Sequence, residues 1–271
     1  MAKPDCIELS TGEKLPILYE DRSVLAIDKP AGWMLVPFSW QKTNRNLQAA
    51  ITSSIAAGDF WARCRSLRFL RFVHRLDAET TGILLLAKSP GALKTYSGLF
   101  EERHMEKRYL AVVSGVPKQN EWTCRLKLAP DADEHGKMRV DQRHGKEAET
   151  SFKVLATQER TALLEARPRT GRTHQIRVHL AESGCPVMGD ELYGKGSART
   201  PPLGLRAIAL AYSDPFSRKR VSIHAPTEAF LNQFGFSGFW QERDEGKKRW
   251  QMADGKVKFF PRQRADPPGC G

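Results

Sequence analysis

The chain has 271 residues, 40% of them hydrophobic and 27% charged, and 43 Lys and Arg against 31 Asp and Glu give it a formal net charge of +12. That length and composition fit a soluble globular protein with a sizeable core. The basic excess favours a polyanionic partner, nucleic acid first, over a merely solvated basic surface. The cysteines Cys6, Cys64, Cys124, Cys185 and Cys270 stand far apart with no C-x-x-C pair, which argues against a disulfide framework or a zinc site and fits a reducing cytosol. No apolar run approaches the ~20 residues that span a bilayer, and the first residues carry no apolar signal core.

Residues 1–14 are polar and are expected to be a loose arm. Apolar runs at 17–19 and 24–27 flank Glu20-Asp21-Arg22-Ser23 and predict a hairpin with a four-residue turn. Lys29-Pro30-Ala31-Gly32 breaks the chain. Apolar spacing at 47, 50, 51 and 55 predicts a helix over 46–55. Arg63, Arg65, Arg68 and Arg71 form a basic segment suited equally to phosphate or to solvent. Ile83 to Ala87, apolar and directly after Gly82, predict a buried strand. Leu93, Tyr96, Leu99 and Phe100 share one face of a helix expected over 90–104, with Pro90 in its first turn.

Further strands are expected over 107–113, 149–155, 162–166 and 205–212, with a helix over 173–183. Residues 130–147 read as a long mobile loop, and Asp190-Glu191-Leu192-Tyr193-Gly194 as a turn. After residue 236 the composition shifts. Residues 249–253 and 256–260 flank Asp254-Gly255, which predicts a hairpin, and its mixed basic and aromatic residues suit either single-stranded nucleic acid or docking by the aromatics. Many strands with few, separated helices give an α+β class. The expected organisation is an arm over 1–14, a catalytic domain over 15–235 and a basic extension over 236–271.

Two charged clusters carry the chemistry. His74-Arg75-Leu76-Asp77 sits at the mouth of the predicted strand, followed by Thr80-Thr81-Gly82. A carboxylate against apolar walls needs a compensating cation, so Asp77 is a candidate for chemistry as much as for capping the turn. The second cluster is Arg169-Thr170-Gly171-Arg172-Thr173-His174-Gln175-Ile176-Arg177-Val178-His179. Its turn at a predicted helix start offers backbone N–H groups to an anion, and Arg172 and Arg177 add guanidinium forks. His174 and His179, five apart, are poorly spaced for a metal on one helix face and read as hydrogen-bonding residues. The sequence lacks H-E-x-x-H, G-x-x-x-x-G-K-[ST], G-x-G-x-x-G and G-x-S-x-G, so metalloprotease, P-loop, Rossmann and serine-hydrolase readings have no support.

The first cluster resembles the H-R-L-D-x-x-T-S-G signature of the RluA family of RNA pseudouridine synthases, with Thr81 where the family usually has Ser. Asp28-Lys29-Pro30-Ala31-Gly32, Lys107-Arg108-Tyr109-Leu110-Ala111, the stretch from Gly171 to Leu180, and Gly189-Asp190-Glu191-Leu192-Tyr193-Gly194 agree in order and spacing over about residues 15–225. Residues before 15 are too few for the small S4-type RNA-binding domain of many relatives. The resemblance implies a mixed, mostly antiparallel central sheet with flanking helices and a catalytic cleft.

It also implies isomerisation of uridine to pseudouridine in ribosomal or transfer RNA, with base flipping and neither metal nor organic cofactor. Asp77 would be the catalytic carboxylate, Arg177 its paired cation, and Tyr109 the ring that packs on uracil and helps with the C5 proton. Arg75 would fill the gap left by the flipped base, Leu76 and Ile176 would line the pocket, and Arg172 and His174 would contact RNA. A monomer in the cytoplasm is expected. A non-catalytic RNA-binding protein and a glycosylase releasing free uracil are the rival readings.

Overall fold

The structure is a computed structural model that describes residues 3–35, 45–194 and 202–237. In chain order these form strands β1 (Cys6–Glu8), β2 (Lys14–Glu20) and β3 (Val24–Lys29), helices α1 (Leu47–Ala57) and α2 (Phe60–Arg63), strands β4 (Arg71–Phe72) and β5 (Thr81–Ala87), and helix α3 (Pro90–Glu101). Then come strands β6 (Glu106–Ser114), β7 (Glu121–Cys124), β8 (Leu128–Pro130), β9 (Met138–Val140), β10 (Thr150–Gln158) and β11 (Thr161–Pro168). Helix α4 (Gln175–Glu182), strands β12 (Leu205–Ser213) and β13 (Arg220–His224), and helix α5 (Glu228–Gln233) follow.

Eleven of the described strands join one sheet in the order β1-β2-β3-β5-β12-β6-β11-β10-β7, with β13 on β12 and β4 on β5, while β8 and β9 make a separate ribbon. The β12–β5 pair is parallel and the other named pairs are antiparallel, as the α+β reading expects. Period-2 alternation decides which helix each strand residue meets. Leu25 and Ile27 pack with Leu47 and Ile51 of α1, whereas Val24 and Ala26 pack with Ala92 and Tyr96 of α3. Farther along, Ala111 and Val113 meet Ile176 and Leu180 of α4, and Leu110 and Val112 meet Phe230 and Leu231 of α5. Each fully buried aliphatic side chain stabilises by about 1.5–3 kcal/mol.

One feature of the sheet positions the site. β5 pairs with β3 along its length on one side. On the other side it pairs with β4 at Leu86 and Ala87 and with β12 at Thr81 and Gly82. Between these two partners the ladder forks. The Leu85 carbonyl accepts Val73 N–H at 2.9 Å, and the Leu85 N–H is donated to His74 Nε2 at 3.1 Å, so a side chain completes the ladder where no strand can. Gly82 adopts φ +105, and a Cβ there would collide with the Ala207 carbonyl oxygen. Only glycine lets β12 come this close. Residues 73–80 leave through the fork.

Several boundaries differ from the expectation. The arm over 1–14 contains β1, whose Ile7 pairs with Leu15. Ile7, Leu9 and Leu15 are buried beside Trp33, too few apolar positions among polar ones to give a strand period. The turn after β2 spans three residues, with Ser23 and Val24 N–H groups donated to Asp21 Oδ1 at 2.7 and 2.8 Å. α3 ends before 104 because Arg103 turns left-handed at φ 62. α4 starts at Gln175 because His174 is also left-handed, at φ 52. The loop over 130–147 contains β9, paired with β8. Phe236 is fully buried in the α5 cluster, so packing continues past residue 235. The hairpin expected over 249–260 lies outside the described residues, as does most of the extension.

Candidate active site

Asp77 sits in the loop that emerges from the fork. Lys29, at the end of β3, is completely buried. Its Nζ donates to the carbonyls of Pro30, Ala78 and Thr80 at 2.9, 2.6 and 3.1 Å, so two of its three bonds clamp the turn that carries Asp77. Burial pushes the Lys29 ammonium down to about 8, against the pull of Glu79 and Asp77. His74 stacks on Phe100 with ring centroids 4.5 Å apart. It is held neutral, burial chiefly and Lys107 secondarily pushing it down to about 3, which agrees with its acceptor role toward Leu85.

The second cluster approaches from the other side. Gln175, buried at the start of α4, accepts from Thr170 Oγ1 at 2.7 Å and from the Arg172 N–H at 3.0 Å. That amide, which the sequence offered to an anion, is therefore occupied within the protein. Arg177, in the first turn of α4, donates Nη1 to Asp77 Oδ2 at 3.2 Å. Its Nε and Nη2 form a bidentate pair with Asp190 at 2.7 and 2.8 Å. Burial opposes the charge on Arg177, but the hydrogen bonds to Asp190 and the attraction of Asp77 outweigh it and raise its pKa. The guanidinium also lies over the Tyr193 ring, 5.2 Å from its centroid.

Tyr109 extends from β6 where the two clusters on one sheet face meet, packing against both. Burial first, and Asp77 second, raise its pKa. A cavity of about 790 Å³ is lined by Asp77, Tyr109, Lys107, Arg71, Arg103 and Arg172 among others, and a second of about 920 Å³ on the other side of Asp77 by Leu35, Glu79, Leu192 and Leu203 among others. Arg75, Leu76, His174 and Arg177 line both, and Ile176 lines the first. Arg75 is exposed and donates Nη2 to Thr173 Oγ1 at 2.9 Å across the cleft. Lys107 Nζ donates to the Thr170 carbonyl at 3.0 Å, and burial brings that ammonium to about 8.

The eight residues singled out from sequence thus converge on one cleft. Lys29, Asp190 and Tyr193 were missed as members of it. Lys29 lay in a Pro-Gly chain break, and Asp190 and Tyr193 in a turn. The only available signal was their place in the matching motifs. Among the described residues no group of three or more His, Cys, Asp and Glu is placed to hold a metal ion, and no helix is long and apolar enough to cross a membrane. His179 is buried, with its ring nitrogens 3.0 Å from Thr150 Oγ1 and 3.1 Å from the Leu126 carbonyl.

Residues 23–182 match the RNA pseudouridylate synthase family profile. The chain is 36% identical over 228 residues to ribosomal large subunit pseudouridine synthase C of Vibrio cholerae, covering 80% of this chain and 67% of that one. It is 30% identical over 217 residues to the dual-specificity RNA pseudouridine synthase RluA of Escherichia coli, covering 79% and 94%. Among solved structures, human RNA pseudouridylate synthase domain containing 1 superposes with a TM-score of 0.65 at 25% identity, covering 86% of this chain and 91% of that one.

Proposed function

This chain belongs to the RNA pseudouridylate synthase family and is an isomerase, and we propose that it converts a uridine of large-subunit ribosomal RNA to pseudouridine through Asp77. The reaction breaks the N1–C1′ glycosidic bond, turns the uracil and joins C5 to C1′. The C5 proton leaves and N1 gains one, so composition is unchanged and no redox partner enters. The substrate follows the names of the relatives, and transfer RNA is the alternative. The target base leaves its stack to reach the cleft.

The single observation that carries this reading is the convergence of Asp77, Arg177 and Tyr109 on one cavity. Asp77 Oδ2 faces Arg177, and the carboxylate keeps 20% of its side-chain surface open, so it has capacity to act as nucleophile or acid–base group. Arg177 offsets the cost of its burial. Tyr109 stacks on the uracil face. Burial and Asp77 raise its pKa, and its hydroxyl helps take the C5 proton away as N1 gains one. Leu76 and Ile176 supply apolar walls, Arg75 fills the vacated stack, and Arg172 with Arg103 holds phosphates. The test is tritium release from RNA labelled at C5 of uridine, taken from a host lacking the gene. Release followed by mapping to ribosomal RNA supports the assignment, mapping to transfer RNA changes the substrate, and free uracil as product overturns the synthase chemistry.

A further inference from the structure

His174 combines a strained backbone with a buried ring that makes no local bond. Its φ of 52 places a Cβ-bearing residue in the left-handed region, and its side chain does not cap the helix that follows. Such a conformation persists where surrounding structure imposes it. The side chain is 7% exposed, with Nε2 3.8 Å from Asp77 Oδ1. Nδ1 lies 2.8 Å from the Tyr193 hydroxyl, and that same hydroxyl accepts the Met138 N–H at 2.8 Å.

These contacts fit one arrangement of protons. In it the Tyr193 hydroxyl accepts the Met138 N–H and gives its own proton to Nδ1, so that both roles of the phenol are used. An imidazole that accepts at Nδ1 carries its proton, in the neutral form, on Nε2. The Nε2–H therefore faces the Asp77 oxygen that Arg177 does not hold. Burial favours this neutral form and Asp77 opposes it, with Arg177 and Arg75 on one side of the balance and Asp190 on the other.

We infer that His174 is a positioning residue for Asp77, its tautomer set by Tyr193, so that Arg177 orients one carboxylate oxygen and the His174 Nε2–H the other. At 3.8 Å the contact is longer than a hydrogen bond. It shortens when RNA is seated, as catalytic contacts do between free enzyme and complex. Tyr193 serves three elements at once: its hydroxyl ties the imidazole to the β9 amide, and its ring lies under Arg177. The inference rests on Asp77 being the catalytic carboxylate.

The experiment compares Tyr193→Phe, His174→Asn and His174→Ala with the native protein in single-turnover tritium release at saturating RNA, with RNA affinity by filter binding and melting by circular dichroism. Tyr193→Phe keeps the ring beneath Arg177 and removes only the hydroxyl. It is expected to lower the rate about ten- to a hundredfold, the scale of ångström misplacement, with affinity unchanged. His174→Asn, tolerant of the left-handed region and still an N–H donor, is expected to retain more rate than His174→Ala. Native rates in folded Tyr193→Phe and His174→Ala, or losses confined to affinity, overturn the inference. Absence of release by the native protein overturns the synthase reading instead, so the two failures are distinguishable.

Discussion

Asp77 and Asp190 share one guanidinium and are built for opposite ends. Asp190 is fully buried, takes two bonds from Arg177, and accepts the N–H groups of Leu192 and Tyr193 at 3.0 and 3.1 Å. Four N–H bonds thus reach its two oxygens. Asp77 takes one Arg177 bond of 3.2 Å and remains 20% exposed between two cavities. The fork of Arg177 is thus anchored on the satisfied carboxylate and offers its remaining nitrogen to the unsatisfied one. A charge whose hydrogen bonds are complete is structure, and one left with open acceptor capacity at a cavity is available for chemistry.

Breaking the structural member has the largest expected effect on stability. Asp190→Ala leaves Arg177 buried and half-paired, with an expected loss of about 3–5 kcal/mol in chemical denaturation; a loss below about 1 kcal/mol would make Asp190 dispensable. On the reactive side, Tyr109→Phe keeps the ring and removes the hydroxyl, so the rate at saturating RNA is expected to fall about a hundredfold, and full activity would remove the hydroxyl from the chemistry.

A contrast of the same kind exists within one tetrapeptide, since His74 is structural beside the reactive Asp77. Its folded pKa of about 3 lies below the ordinary value of 6.5, so the unfolded chain binds the proton first as pH falls. The His74 contribution is complete above pH 6.5 and is lost progressively toward pH 3. In urea denaturation the native protein is expected to lose about 1–2 kcal/mol more stability between pH 6.5 and 5.0 than His74→Gln does, and equal pH dependence in both proteins would show that His74 is not held neutral. The smallest effect belongs to the periphery. Arg172→Gln is expected to weaken RNA binding only a few-fold and to reduce the magnitude of the salt slope by about 1, and an unchanged slope would take Arg172 off the phosphates.

The elements that were legible in sequence were those whose signal is local. Ile83 to Ala87 is an apolar run directly behind Gly82, and Pro90–Glu101 has an amphipathic face with Pro90 in its first turn. The strands Cys6–Glu8 and Met138–Val140 were not legible, because each is three residues long and exists only through its partner. At the site, Asp77 stood out as a carboxylate against apolar walls, and Arg177 as a guanidinium fork in a basic cluster. Their contact spans 100 residues of sequence and came from the family resemblance rather than from any periodicity. Lys29 escaped because a lysine with no exposed surface is recognisable only once three carbonyls are seen to converge on it. Asp190 and Tyr193 escaped because turn composition hides which turn residues face inward.

The division of labour between the two carboxylates is tested most directly by Asp77→Asn, assayed for tritium release at saturating RNA alongside RNA binding and melting. The expected result is a rate at least about a thousandfold below native, with binding retained and a melting temperature close to native. Turnover within tenfold of native, or a collapse of melting temperature matching that of Asp190→Ala, would contradict it.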